Sequence, residues 1–172
     1  KIAQATHTAF PQGIEAAGTD AVRFTYCALA STGRDIRFDT NRLTGYRNFC
    51  NKLWNACRYL SMTFSSDAIP SFKTPEHVIN RWICHQAHLC IVEVETHMRD
   101  FRFDLIAQTL YHFTWTDYCD WYLEWTKTLR ADPQTCHETD ATLSHIMGII
   151  LRLLHPIIPF ITAVVEELKV KV

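Results

Sequence analysis

Residues 43–64 read LTGYRNFCNKLWNACRYLSMTF, and their pattern decides the fold. Projected at about 100° per residue, Phe49, Cys50, Leu53, Ala56, Cys57, Leu60 and Phe64 fall in one sector, the apolar stripe of a core-facing helix. The opposite sector carries Asn48, Asn51, Lys52, Asn55 and Tyr59, with Arg47, Trp54 and Arg58 along one flank. Three asparagines on one polar face need a reason. Each is a poorer helix former than Ala, because its amide competes with the backbone for hydrogen bonds. A merely solvated face is better served by Glu, Lys and Gln. The asparagine amide offers a donor and an acceptor together, which suits either the edge of an unpaired RNA base or a polar ladder to a neighbouring helix. In the first case Tyr59 can stack on a base, and Arg47, Lys52 and Arg58 can hold phosphates. On the residues alone both readings stand.

The rest of the sequence builds a bundle around that helix. Thr19-Asp20 can cap a helix running to about Ala30. Residues 34–40 form a short alternating piece, and 65–75 a linker with two prolines. Thr74 as cap and Pro75 in the first turn predict a helix over about 75–99. Its stripe Ile79, Ile83, Ala87, Cys90, Val94, Met98 keeps the helical period. An aromatic-rich helix over about 104–129 follows, then a loop at 132–140, a helix over about 141–155 and a short one from 159. Residues 1–18 read as irregular. The expected fold is all-α: an antiparallel helical bundle of four to five long helices with a short N-terminal segment.

With 172 residues, 48% of them hydrophobic, the chain can bury a substantial core. Net charge is close to zero, but six of the 17 basic residues (Arg34, Arg37, Arg42, Arg47, Lys52 and Arg58) cluster against only Asp35 and Asp39. That local positive field favours RNA over the asparagine ladder. Seven scattered cysteines without a C-x-x-C pair argue against a disulfide framework and for a reducing, cytoplasmic setting. No signal-like or membrane-length apolar run occurs. Cys84 and His88 share a helix face but lack a matching second pair, so no metal site is expected. Asp117, Asp120 and Glu124 read as an acidic face pairing with the basic helix, and the aromatics of 111–125 as packing material. No phosphate-loop, dinucleotide or nucleophile-elbow motif is present, so no catalytic residue is assigned.

Six stretches carry a family resemblance. Gly18-Thr19-Asp20-Ala21-Val22-Arg23-Phe24 resembles the element that follows the catalytic domain in class I aminoacyl-tRNA synthetases of the valine, isoleucine and leucine group. Gly33-Arg34-Asp35-Ile36-Arg37-Phe38-Asp39, together with Gly45 to Ala56, resembles the valine-specific branch. Arg102-Phe103-Asp104, Cys119 to Glu124, and Leu153 to Phe160 resemble the later bundle helices. The likeness covers most of residues 10–162. It implies that 1–44 form a stem-contact segment leading to a catalytic domain, and that 45–172 form the anticodon-binding bundle. The implied tRNA contacts are Asn51, Lys52, Asn55, Arg58 and Tyr59, already picked out by the projection, with Arg42, Leu123 and Glu124 added. Arg47 and Asn48 complete the candidate face.

The group's ATP signatures, H-I-G-H and K-M-S-K-S, are absent, as is its editing insert. After Thr162 the sequence leaves the group's usual E-E-[IL]-W continuation. The resemblance therefore implies a fragment, monomeric and inactive alone, whose partners are the anticodon arm of tRNA and the catalytic domain of its own parent chain. ATP and Mg2+ are implied only for that parent. A bundle of the isoleucine or leucine type, a helical protein-interaction module and a metal-binding bundle are the alternatives.

Overall fold

The computed structural model describes residues 2–31, 38–64 and 71–167. These form helices α1 (Ile2–Ala9), α2 (Thr19–Leu29), α3 (Thr40–Thr63), α4 (Val78–Arg99), α5 (Phe103–His112), α6 (Leu123–Leu129), α7 (Cys136–Leu154) and α8 (Pro159–Glu167). A π-helical segment, Phe113–Tyr122, joins α5 to α6 without a break. No strand occurs among the described residues, so the all-α expectation holds. No described helix is long and apolar enough to cross a membrane. The alternating piece expected at 34–40 lies mostly outside the described residues, as does most of the proline linker.

The core is built as the α3 stripe predicts. Phe49, Leu53, Ala56, Cys57 and Leu60 are buried, while Cys50 and Phe64 lie at its edge. They meet Ile83, Ala87 and Cys90 of α4, Leu110 of α5, and Leu143, Met147 and Ile150 of α7 in one apolar cluster. Contacts along the helices fix their directions. Tyr46 and Phe49 of α3 pack on Tyr111, Lys52 on Trp115 and Asp120, so α3 runs parallel to α5–α6. Helix α4 runs antiparallel to α5–α6, with Glu93 beside Thr109 and Asn80 beside Tyr122. Helices α3, α4 and α5–α6 thus alternate in direction along the chain, as an antiparallel bundle requires.

Helix ends depart from the expected ones for identifiable reasons. Residues 2–9 are helical rather than irregular. Helix α4 starts at Val78, capped by the His77 Nδ1 that accepts from the Ile79 amide at 3.3 Å, not at Pro75. The Glu138 carboxylate takes the Glu76 and His77 amides at 2.9 and 3.1 Å, which fixes the entry from another helix. Helix α7 begins five residues before the expected 141, because the polar residues 136–140 face partners: Thr139 is buried against Asn80, and Asp140 pairs with Arg130. Met98 of the α4 stripe is exposed, and Ile79 only partly covered.

The family-like stretches at the two ends of the sequence meet each other. Gly18 enters α2 at φ +89°, a left-handed conformation that glycine adopts without steric cost. Asp20 does not cap its own helix. Its carboxylate accepts the Phe160 and Ile161 amides at 3.3 and 2.6 Å, just past Pro159 in the first turn of α8. Arg23 donates to the carbonyls of Ile157 and Pro156 at 2.8 and 3.0 Å. One residue of the pair satisfies orphan amides, the other orphan carbonyls. The expected boundary at 44–45 falls inside α3, and Phe24 of α2 belongs to the same core as Phe49.

Candidate nucleic-acid interface

Helix α3 is positioned from its first turn. Asp39 caps it, its carboxylate accepting the Asn41 amide at 2.8 Å, and the buried stripe then fixes its rotation. That rotation turns Arg42, Arg47, Asn48, Asn51, Asn55 and Arg58 to solvent. Among the described residues, none of the three asparagine amides has a hydrogen-bond partner. The ladder reading needed such partners on a neighbouring helix. The asparagine that does tie helices together is Asn80, which is fully buried. Its amide donates to Glu138 at 2.8 Å and Thr139 at 3.2 Å, and its oxygen accepts from the Tyr122 hydroxyl at 2.8 Å. Its place beside the apolar α4 stripe gave no hint of this, since the partners lie on two other helices.

The remaining candidates are partly engaged. The Lys52 ammonium pairs with Asp120 and sits 4.0 Å from the Trp115 ring centre, so it is held at the rim of α3. Tyr59 is half-buried and lies close to Arg130, which pairs with Asp140. Leu123 has its side chain in the core and cannot present it to a base. Glu124 is exposed, with both carboxylate oxygens 2.7 Å from the Lys127 ammonium. Arg34 and Arg37 lie outside the described residues. Arg42 also edges a cleft of about 460 Å³ with Gly45, Tyr46, Asp104, Gln108 and Tyr111.

The expected acidic face does not stay together. In the π segment each carbonyl bonds the amide five residues on, so successive side chains advance by less than in an α-helix. Asp117 turns to His112, 3.6 Å away, and burial raises its carboxyl's pKa despite that neighbour. Asp120 turns to Lys52, and Glu124 to Lys127. Met62, 73% exposed, lies seven residues beyond Asn55 on the same face, and the sequence reading left it out.

Burial pushes the Cys84 thiol up to about 11 and the core thiol of Cys90 up to about 12. Among the described residues, no three His, Cys, Asp or Glu side chains are gathered to hold an ion.

Comparison with known proteins supplies the family. Residues 80–168 match the family described as the anticodon-binding domain of tRNA ligase. The chain is 47% identical to a valine–tRNA ligase of Legionella pneumophila, over 94% of its own length and 18% of the relative's. It is 48% identical to that of Coxiella burnetii, again over 94% and 18%, and 44% identical to that of Francisella tularensis, over 98% and 19%. The chain therefore spans about a fifth of the length of the curated relatives it matches.

Proposed function

This chain belongs to the anticodon-binding domain family of tRNA ligases, and from that membership we propose that it grips the anticodon arm of a valine tRNA for a parent valine–tRNA ligase. The observation that carries the reading is the solvent face of α3: three asparagine amides unpartnered among the described residues, between exposed Arg42, Arg47 and Arg58. The amides can read base edges, and the guanidiniums can neutralise phosphates. No step of aminoacylation is assigned to these residues. ATP and Mg2+ are assigned to the parent enzyme.

The reading predicts a salt dependence. If the three exposed arginines each neutralise one phosphate, affinity for valine tRNA falls roughly twentyfold between 50 and 200 mM salt, by counterion release from single-stranded RNA. Filter binding or anisotropy measures it, and a flat salt response refutes the phosphate grip. Asn55→Ala should cut the preference for the valine anticodon over a swapped one by about 1–3 kcal/mol, the scale of a lost bidentate base contact. Its melting temperature should stay unchanged. A variant that unfolds instead makes the asparagine structural.

The same bundle has a surface suited to the rest of a larger chain. Tyr26, Cys27, Val94, Met98, Phe103 and Ile106 line a mostly apolar groove of about 550 Å³. Beside it Phe101 is 72% exposed and held at φ +53°. The Arg102 amide donates to the His97 carbonyl, and the Phe101 amide to that of Met98. Those two bonds make a helix C-terminus whose left-handed position normally falls to glycine. We assign this groove to contact with the remainder of the ligase, since most of the relatives' length lies outside this chain. Phe101→Gly should then stabilise the isolated chain by about 1 kcal/mol, by relieving the left-handed strain. It should give no such gain in the intact ligase, where the ring's contact is lost. An equal gain in both removes the assignment.

A further inference from the structure

The aromatic run of 111–125 divides in the structure. Tyr118 and Tyr122 are fully buried, with hydroxyls bonded to the Leu143 carbonyl and to Asn80. Trp121, between them, is 51% exposed. Its one ring partner among the described residues is Trp125, 5.5 Å away and tilted by 42°. Trp125 in turn stands edge-on to Trp82 of α4 at 5.2 Å and 68°. The core therefore already has its aromatic filling, and an indole left half in water has no packing reason to be there.

The surroundings define what this ring can receive. Asp120, the preceding residue, is the carboxylate that Lys52 reaches from the rim of α3. Glu124, one turn on, is paired with Lys127. Trp121 thus stands one residue from the carboxylate that Lys52 of α3 reaches, its ring packed towards α4 through Trp125 and Trp82, between two carboxylates already matched by lysines. A phosphate brought here would face Asp120 and Glu124. An apolar protein segment wide enough to cover the ring would bury both ion pairs. An uncharged flat ring needs only the indole, and a Trp supported by two others loses little conformational freedom when stacked upon.

We propose that Trp121, supported by Trp125 and Trp82, is a stacking platform for one unpaired base of the RNA whose neighbouring nucleotides lie on α3. This rests on the anticodon-arm reading above and extends it to a residue outside the candidate face. The platform discriminates weakly among bases, because every base has a π face. It adds affinity and fixes where the single strand turns.

The test uses the full-length ligase with Trp121→Ala and Trp121→Tyr. The ligand is valine tRNA, unmodified and with 2-aminopurine placed singly at each unpaired anticodon-loop position. Stacking of that order predicts that Trp121→Ala binds about tenfold more weakly and Trp121→Tyr within about threefold of the unsubstituted protein. One 2-aminopurine position quenched by the unsubstituted protein should stay bright with Trp121→Ala. Circular dichroism checks the fold, and Trp121→Gln, a better-solvated helix former, takes the place of the alanine variant if that loses helix. Unchanged affinity and unchanged quenching at every position overturn the platform while leaving the anticodon reading intact. Failure of the unsubstituted ligase to bind valine tRNA overturns both.

Discussion

Asn80→Ala is expected to lower the unfolding free energy by about 3 kcal/mol, the largest effect of any polar substitution in the bundle. The change leaves the buried Tyr122 hydroxyl without its acceptor, and removes a donor from both Glu138 and Thr139. Each buried polar group stranded in this way costs about 1–3 kcal/mol. For a chain of this size the melting temperature should fall by roughly 6–12 °C. Urea unfolding should show a lower midpoint at unchanged slope. A loss under about 1 kcal/mol would mean that the network can rearrange without its centre.

The same network should be sensitive to acid. Burial pushes the Glu138 carboxyl up, but the Asn80 amide and the Glu76 and His77 backbone amides more than reverse this, so its pKa lies below the ordinary glutamate value. A carboxyl whose folded-state pKa is depressed contributes stability above its unfolded pKa. That contribution disappears as pH falls through the folded value. Stability should therefore decline as pH drops below the usual glutamate range, and decline less steeply in Glu138→Gln.

Asp20→Ala is the second large effect, at about 2–3 kcal/mol, because two charge-assisted bonds to the first turn of α8 are lost together. Hydrogen exchange should localise the damage. The Phe160 and Ile161 amides should lose protection while α4 and the π segment keep theirs. Asp20→Asn, which keeps an acceptor but no charge, should fall between. Unchanged exchange at those two amides would show that α8 is held by its apolar face alone.

These two residues also mark how far the sequence could be read. Helix α3 was legible because its stripe is unbroken and its partner surfaces are apolar, so the period alone sets its rotation. The starts of α4 and α7 were not. His77 caps α4 with help from Glu138, and residues 136–140 are helical because Asn80 and Arg130 receive their side chains. A cap supplied from another helix leaves no local signature. Asp20 misled for the same reason, sitting where a local cap is common while serving a helix far along the chain. The asparagine face could be found by projection. What projection could not supply was the π geometry, which separates Asp117 from Asp120 and leaves Trp121 outside the core. The same aromatic composition would suit an ordinary buried helix.

The clasp of Asp20 on α8 has a meaning on the ribosome. The two amides it accepts lie 140 and 141 residues downstream. At about 5–20 residues per second, Asp20 waits roughly 7 to 28 s for them to be made. Over that interval α2 can dock on α3 through Phe24 and Phe49, but its acidic end has no helix terminus to meet. The clasp thus closes only when α8 emerges, and its closing is timed by translation as well as by packing.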